Sequence, residues 1–294
     1  MRAFVAIVDQ GSLTAAAEAL GRAPPTTVRT PAALEEHLGV RLLARTTRTM
    51  SLSEEGRVYL DRCRRILADV EEAEEAVAAS DAEQRGEIQA TAPILFGQWH
   101  VAPAVTRFLQ RYPHVRVELL LLDRVIDLVE EGIDLGVRIG RLPDASTVAV
   151  PVGHVRRVVV ASPGLLEQSD VPGHPGALGE RPCVVHSGTT PGGRWTFRDG
   201  DRDLAVRVRS VFACNQAIAA VDACAAGLGF GCFLSYQVEP RVSAGELQVV
   251  LETFEPEPMP VQLVYPHARL MSPRLRVFVD ALRDELRERP ELRR

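Results

Sequence analysis

Three groups of side chains in this sequence have types and spacings suited to chemistry. The first is Thr26, Thr27, Arg29 and Thr30, just after Pro24 and Pro25. The planar fork of Arg29 can read guanine in a bidentate manner, worth about 1–3 kcal/mol of discrimination, and the threonines can touch thymine methyls or phosphates. The second is an acid-free run in which Arg41, Arg45 and Arg48 are interspersed with Thr46, Thr47 and Thr49. Folded into a hairpin it offers cations to phosphates; otherwise it is a solvated surface loop. The third comprises Arg138, which can pair a carboxylate or sit in a structural ion pair, and two segments near expected helix starts. These are Ile94, Leu95, Phe96 and Gly97, and Asn215 with Gln216. Helix N-termini favour anions, and the apolar Ile94, Leu95 and Phe96 suit an aromatic or amphipathic ligand.

Other chemistries are excluded or disfavoured. All 34 basic residues are arginine, so neither a Schiff-base lysine nor a P-loop lysine exists. The five cysteines, Cys63, Cys183, Cys214, Cys224 and Cys232, form no CxxC pair, and the odd count argues against a disulfide framework. They read as small buried residues, with Cys214, ahead of a helix start, the one placed to act as a thiol sensor. Seven histidines are scattered without an HExxH pattern, so no metal site is expected. Gly227-Leu228-Gly229-Phe230-Gly231 has the glycine density of a nucleotide loop but follows a helix and precedes a strand, the reverse of a dinucleotide site. No catalytic constellation and no cofactor site emerges, and an enzyme is disfavoured.

Composition bounds the rest. A chain of 294 residues suggests two domains with separate cores. The net charge of -5 means that any nucleic-acid surface is local. No uncharged apolar run reaches the ~18 residues of a membrane span. The first residues, with Asp9 after a short apolar run, do not read as a secretory signal. A cytoplasmic location follows as an expectation.

The elements that must position these groups fall into three regimes. In residues 1–57, Gly11-Ser12 opens a helix that ends at Leu20-Gly21, and a second runs from Pro24 or Pro25 to His37 and stops at Gly39. Two short helices joined by a tight turn form a helix-turn-helix pattern, and residues 40–52 add a basic hairpin, or wing. Residues 58–86 read as one charged helix, opened by Ser53-Glu54-Glu55 as a cap with acids in the first turn, with Tyr59, Cys63, Ile66, Val70, Ala73 and Val77 on a heptad seam. The seam predicts a coiled-coil dimer interface, the alternative being an amphipathic helix on its own domain. From Gly86 onward strands and helices alternate. Strands are expected at 87–90, 115–122, 134–139, 158–160, 183–185, 195–197, 204–208, 230–233 and 261–265. Helices are expected at 101–111, 127–131, 215–226 and 272–289, with a loop at 93–97.

Several ordered stretches resemble the LysR-type transcriptional regulators. The opening from Phe4 through Gly11-Ser12-Leu13-Thr14-Ala15-Ala16-Ala17-Glu18-Ala19-Leu20-Gly21 carries the resemblance. So do Leu34-Glu35-Glu36-His37-Leu38-Gly39-Val40-Arg41-Leu42-Leu43, Arg45-Thr46-Thr47-Arg48 and Leu52-Ser53-Glu54-Glu55-Gly56. Later stretches continue it: residues 127–140, Ala225-Ala226-Gly227-Leu228-Gly229-Phe230-Gly231 and Leu263-Val264-Tyr265-Pro266.

The resemblance implies an α+β and α/β chain. A winged helix-turn-helix at 1–57 and a linker helix at 58–86 would lead to a two-lobed sensor at 87–294, similar to type 2 periplasmic binding proteins. Lobe one would be 87–161 and 265–294, and lobe two 162–264. Thr26, Thr27, Arg29, Thr30, Arg45, Thr46 and Arg48 would contact double-stranded DNA. Ile94, Leu95, Phe96, Gly97, Arg138, Asn215 and Gln216 would face a small-molecule effector in the cleft. The implied partners are a second copy or three further copies of the chain, and RNA polymerase if the protein activates.

Thr27 and Pro31 depart from the family pattern, occupying inner-face positions that are usually apolar. An interior proline removes a donor and clashes with the carbonyl four residues back. The second helix is therefore expected to kink near Thr30 or to start late, with Leu34 and Leu38 as its anchors. Specific DNA binding is the property this departure bears on. A free-standing solute-binding protein is the remaining rival and leaves residues 1–80 without a role.

Overall fold

The computed structural model describes residues 1–21, 24–45, 50–78, 84–141, 147–188, 190–266 and 271–293. The chain forms two compact units, residues 1–82 and 83–294.

In the first unit, α1 (Arg2–Gln10), α2 (Leu13–Ala19) and α3 (Pro24–Leu38) precede a ribbon of β1 (Leu43–Arg45) and β2 (Met50–Leu52), and α4 (Glu54–Ala78) follows. Gly11 ends α1 in a left-handed conformation, φ 62°, and Ser12 then caps α2. Ala16 and Ala17 are fully buried, letting backbones approach closely. The core gathers Phe4, Ile7, Ala16, Leu42, Leu43, Leu60 and Cys63. The Phe4 and Tyr59 rings pack at 5.5 Å.

Several expectations change here. The helix α3 begins at Pro24 and continues through Pro31, so it does not start late. Prolines suit a first turn, where N–H groups lack helical partners, and the Pro31 side chain is buried at the inner-face position. Of the two expected anchors, Leu34 packs on the core and Leu38 is exposed. The long helix starts at Glu54, with Ser53 as its cap and Glu54 and Glu55 in its first turn as the sequence predicts, whereas residues 84–85, expected within it, are not helical. Its start is set by Ser53, whose Oγ accepts from the Gly56 N–H at 2.9 Å and donates to the Arg41 carbonyl at 2.6 Å.

The second unit contains two five-stranded sheets. The first is built from β3 (Gly86–Ala92), β4 (Val115–Leu121), β5 (Leu135–Ile139), β6 (Thr147–Val155) and a late strand, Met259–Pro266. The second contains β7 (Arg157–Ala161), β8 (Pro182–His186), β11 (Arg209–Cys214), β12 (Phe230–Leu234) and β13 (Gln248–Val250). A separate hairpin joins β9 (Arg194–Asp199) to β10 (Arg202–Arg207). The late strand is β14, and the orders are β4-β3-β5-β14-β6 and β11-β8-β12-β7-β13. In each sheet three mutually parallel strands are followed by one antiparallel strand, β14 or β7, and then by an edge strand, β6 or β13, antiparallel to it.

The helices of this unit are α5 (Ile94–Phe96), α6 (Ala102–Arg111), α7 (Pro163–Gln168), α8 (Ala217–Ala225), α9 (Ser235–Ser243) and α10 (Pro273–Arg287). Segment 93–97, expected as a loop, is mostly helical: α5 runs through a π turn, Gly97–Val101, into α6. Residues 127–131, expected as a helix, form turns: the Asp127 carboxylate caps the N–H groups of Val129 and Glu130 at 2.8 and 3.0 Å, but Gly132, at φ 69°, ends the run after a single turn.

The boundaries between the sheets also differ from those expected at 161 and 265. The strand β7 pairs with β12 and β13 and so belongs to the second sheet. The strand β14 pairs with β5 and β6 and so belongs to the first. The chain therefore crosses at Arg156 and again before Met259.

Candidate effector cavity and nucleic-acid interface

In an open α/β sheet the carboxyl ends of parallel strands leave a crevice where ligands bind. Here such ends from both sheets meet around one cavity of about 240 Å³. The first sheet contributes Pro93 after β3, Leu122 to Val125 after β4, and Arg138 and Ile139 at the end of β5. The second contributes His186 from β8, Leu234 from β12, and Tyr236 and Gln237 from the start of α9. Arg157 of β7 and Met259 of β14 complete the wall.

Arg138 is only 8% exposed. Its Nη1 donates to the Val137 carbonyl at 3.4 Å, while Nη2 is buried without a partner. Burial lowers its pKa from the usual arginine value, because desolvation disfavours the charged form. The Arg157 Nη2 lies 4.0 Å from the Met259 sulfur. Among the described residues, neither guanidinium has a carboxylate partner.

The other polar groups of the wall are engaged. The Asp123 carboxylate accepts from the Ile94 N–H at 3.0 Å. Arg124 bridges to Glu131 at 3.3 Å. His186 Nε2 lies 3.3 Å from the Asn215 carbonyl, and burial lowers its pKa more than that contact raises it. The Gln237 side chain accepts from the Leu234 N–H at 3.0 Å and donates to the Tyr236 hydroxyl at 3.4 Å. Tyr236 stands edge-on to Phe96 at 5.3 Å, and burial raises its pKa.

Of the effector residues expected from the sequence, Arg138 lines this cavity. Leu95 and Phe96 point into the first sheet's core, and Gly97 is buried in the π turn beneath Leu121. The N–H of Ile94 is taken by Asp123, so an internal acid already occupies that helix start. Asn215 and Gln216 flank the start of α8 and do not line the cavity; the Asn215 carbonyl lies 3.3 Å from His186 Nε2, which does. Sequence reasoning missed Arg157, His186, Tyr236, Gln237, Asp123 and Met259. The signal for His186, Leu234 and Asp123 was their place at the ends of apolar runs that become parallel strands.

The cysteines do not enter this wall. Burial pushes the Cys183 and Cys232 thiols up to about 12 and raises Cys224 further. Cys214 is partly exposed, and its sulfur accepts from the Gln216 N–H at 3.4 Å.

In the first unit, Thr26, Thr27, Arg29 and Thr30 lie on α3 and Arg45 ends β1, but their side chains lie outside the described set. Thr46 and Arg48 lie outside the described residues altogether. What is described is the link between these elements: the Glu35 carboxylate of α3 accepts from the N–H groups of Leu42 and Leu43 at 2.8 and 2.9 Å. The ribbon is thereby fixed to the helix. The heptad seam of α4 divides: Cys63 is buried in this unit's core and Tyr59 packs on it, whereas Ile66 and Val70 are exposed.

Comparison with known proteins agrees with this architecture. Residues 1–57 match the family model for bacterial regulatory helix-turn-helix proteins of the LysR family. Residues 81–287 match the LysR substrate binding domain. An HTH-type transcriptional repressor of Pseudomonas aeruginosa is 33% identical over 99% of this chain and 93% of its own. The HTH-type transcriptional regulator PtxR of Pseudomonas aeruginosa is 32% identical over 98% of this chain and 92% of its own. The structure of CrgA, a LysR-type transcriptional regulator from Neisseria meningitidis, superposes with a TM-score of 0.62 at 31% identity, covering 97% of both chains. The chain therefore belongs to the LysR-type transcriptional regulators, helix-turn-helix proteins that carry a substrate-binding domain.

Proposed function

We propose that this regulator binds double-stranded DNA through α3 and the β1–β2 wing, and that a small molecule held between the two sheets sets its regulatory state. The observation that carries the effector half is the cavity at the facing carboxyl ends of the parallel strands, with Arg138 buried in its wall. On this reading residues 1–57 are the DNA-binding domain, 58–86 the linker and 87–294 the sensor. Thr26, Thr27, Arg29 and Thr30 read or touch the major groove, and Arg45, Thr46 and Arg48 grip the phosphate backbone.

The protein acts as a homodimer or homotetramer. The exposed Ile66 and Val70, four residues apart on α4, support a helix-to-helix seam. The role is regulatory rather than catalytic, the location is the cytoplasm, and contact with RNA polymerase applies if the protein activates. Among the described residues no helix is long and apolar enough to cross a membrane.

The test is selection by the full chain from a pool of random-sequence duplexes. A dimeric helix-turn-helix reader enriches paired half-sites separated by about one helical turn, or a multiple of it. Arg29→Ala then relaxes one base position in each half-site. A pool that emerges no different from its input contradicts the DNA-binding reading.

A further inference from the structure

We infer that the ligand of this cavity is a small organic carboxylate, with its charged end on Arg138 beside Arg157 and a short apolar body against Leu122, Val125 and Met259. This inference rests on the reading of the cavity as the effector site.

Arg138 is desolvated by its burial in the cavity wall. A guanidinium has five N–H donors and no acceptor. Burying it without a counter-charge is unfavourable, and an arginine so placed ordinarily has an acid beside it. Among the described residues, Arg138 has one long contact to a neighbouring carbonyl, a buried Nη2 without a partner, and no acid. Asp123, the acid of the cavity wall, is turned to the α5 N–H of Ile94. The wall thus holds three arginines against one aspartate, and among the described residues only Arg124 of the three is bridged to an acid. His186 adds no charge at neutral pH, since its pKa is lowered. An anion inside the cavity supplies both the missing charge and the missing acceptor.

Shape and size narrow the class. The fork of Arg138 matches a carboxylate held by two parallel hydrogen bonds. The cavity, about 240 Å³, is smaller than the ~300–1,000 Å³ typical of drug-sized sites, which leaves out nucleotides and coenzyme thioesters. Leu122, Val125, Leu234 and Met259 give the body an apolar surface.

The experiment measures thermal shift and titration calorimetry on the full chain with acetate, butyrate, succinate, benzoate and salicylate. Each is matched by its neutral amide, and benzylamine and inorganic phosphate complete the panel. The expected result is stabilisation by at least one carboxylate and not by its amide. Arg138→Gln weakens that binding about 10- to 100-fold, and Arg138→Lys restores part of it. Arg138→Gln without ligand unfolds at or above the parent's temperature, because a buried unpartnered charge is removed. The inference is overturned if no carboxylate shifts the melting temperature, if amides, benzylamine or phosphate act as well as carboxylates, or if Arg138→Gln keeps the response. The effector reading fails separately: a compound whose binding requires Arg138 would then leave the affinity for the selected duplex unchanged.

Discussion

The Glu35 carboxylate receives the N–H of Leu43 at 2.9 Å, and the same oxygen receives the N–H of Leu42 at 2.8 Å. One acid on α3 therefore fixes where the β1–β2 ribbon starts. Removing it strands two backbone donors beside buried leucines. Glu35→Ala should lower the stability of the first unit by about 2–3 kcal/mol, the value of hydrogen bonds to a charged acceptor. Duplex affinity should fall as well, because ribbon and helix lose their fixed relation. Glu35→Gln, which keeps an acceptor, should recover part of both. Chemical denaturation and duplex titration on the three proteins check this; an unchanged Glu35→Ala variant would remove the link from the account.

The divided seam of α4 makes a sharper prediction than an unbroken heptad would. Cys63 is fully buried in its own unit, while Ile66 and Val70 are 43% and 40% exposed. Ile66→Asp with Val70→Asp should shift the molecular mass toward the monomer without lowering the helix content of the first unit. Cys63→Asp should instead unfold that unit, since it buries an unpaired charge. Light scattering and circular dichroism separate the two. A double variant with the parent's mass would refute the dimer seam.

Stability of the second unit should fall on acidification. His100 is buried on the π turn, 4.7 Å from the Phe96 ring and 5.7 Å from the Tyr236 ring. Its charged neighbours are Glu291, 3.4 Å from Nδ1, and Arg289. Burial lowers its pKa from 6.5 more than Glu291 raises it. His186 is lowered for the same main reason. With the folded value below the unfolded one, the unfolded chain binds more protons as pH falls. The stability contributed by these neutral imidazoles is complete above the ordinary value of 6.5 and is lost below it. His100→Phe, placed among aromatic neighbours, should flatten the pH dependence of the melting temperature below neutrality. An equally steep dependence in His100→Phe and in a His186→Asn variant would refute the assignment.

The parts legible in the sequence were those where local signals and tertiary packing agree. Gly11-Ser12 marked the turn between α1 and α2 because a left-handed glycine and a capping serine act within a few residues. Arg138 was legible as a cation near the end of the expected strand 134–139, which becomes β5. Arg157 did not, since β7 runs antiparallel and brings its first residue, rather than its last, to the cavity. The strand β6 was hidden by Pro151 and Gly153, which it accommodates near an irregularity in its pairing with β14. The helix α9 was hidden by Pro240, and with it Tyr236 and Gln237. The Gly227–Gly231 run looked like ligand chemistry and is packing: a Cβ on Gly229 would lie 2.5 Å from the Pro182 carbonyl, and one on Gly231 the same distance from the Cys224 sulfur.

The most direct test of the DNA-binding regulator proposed here is the salt dependence of binding to the selected duplex, measured by fluorescence anisotropy for the parent, Arg45→Ala and Arg48→Ala. If the wing grips phosphates, the parent's log affinity falls linearly with log salt. Each variant then binds more weakly across all duplex sequences, with its slope smaller by about 1. Parent and variants with the same affinity and the same slope at every salt concentration, or a parent that binds no duplex at low salt, would contradict the account.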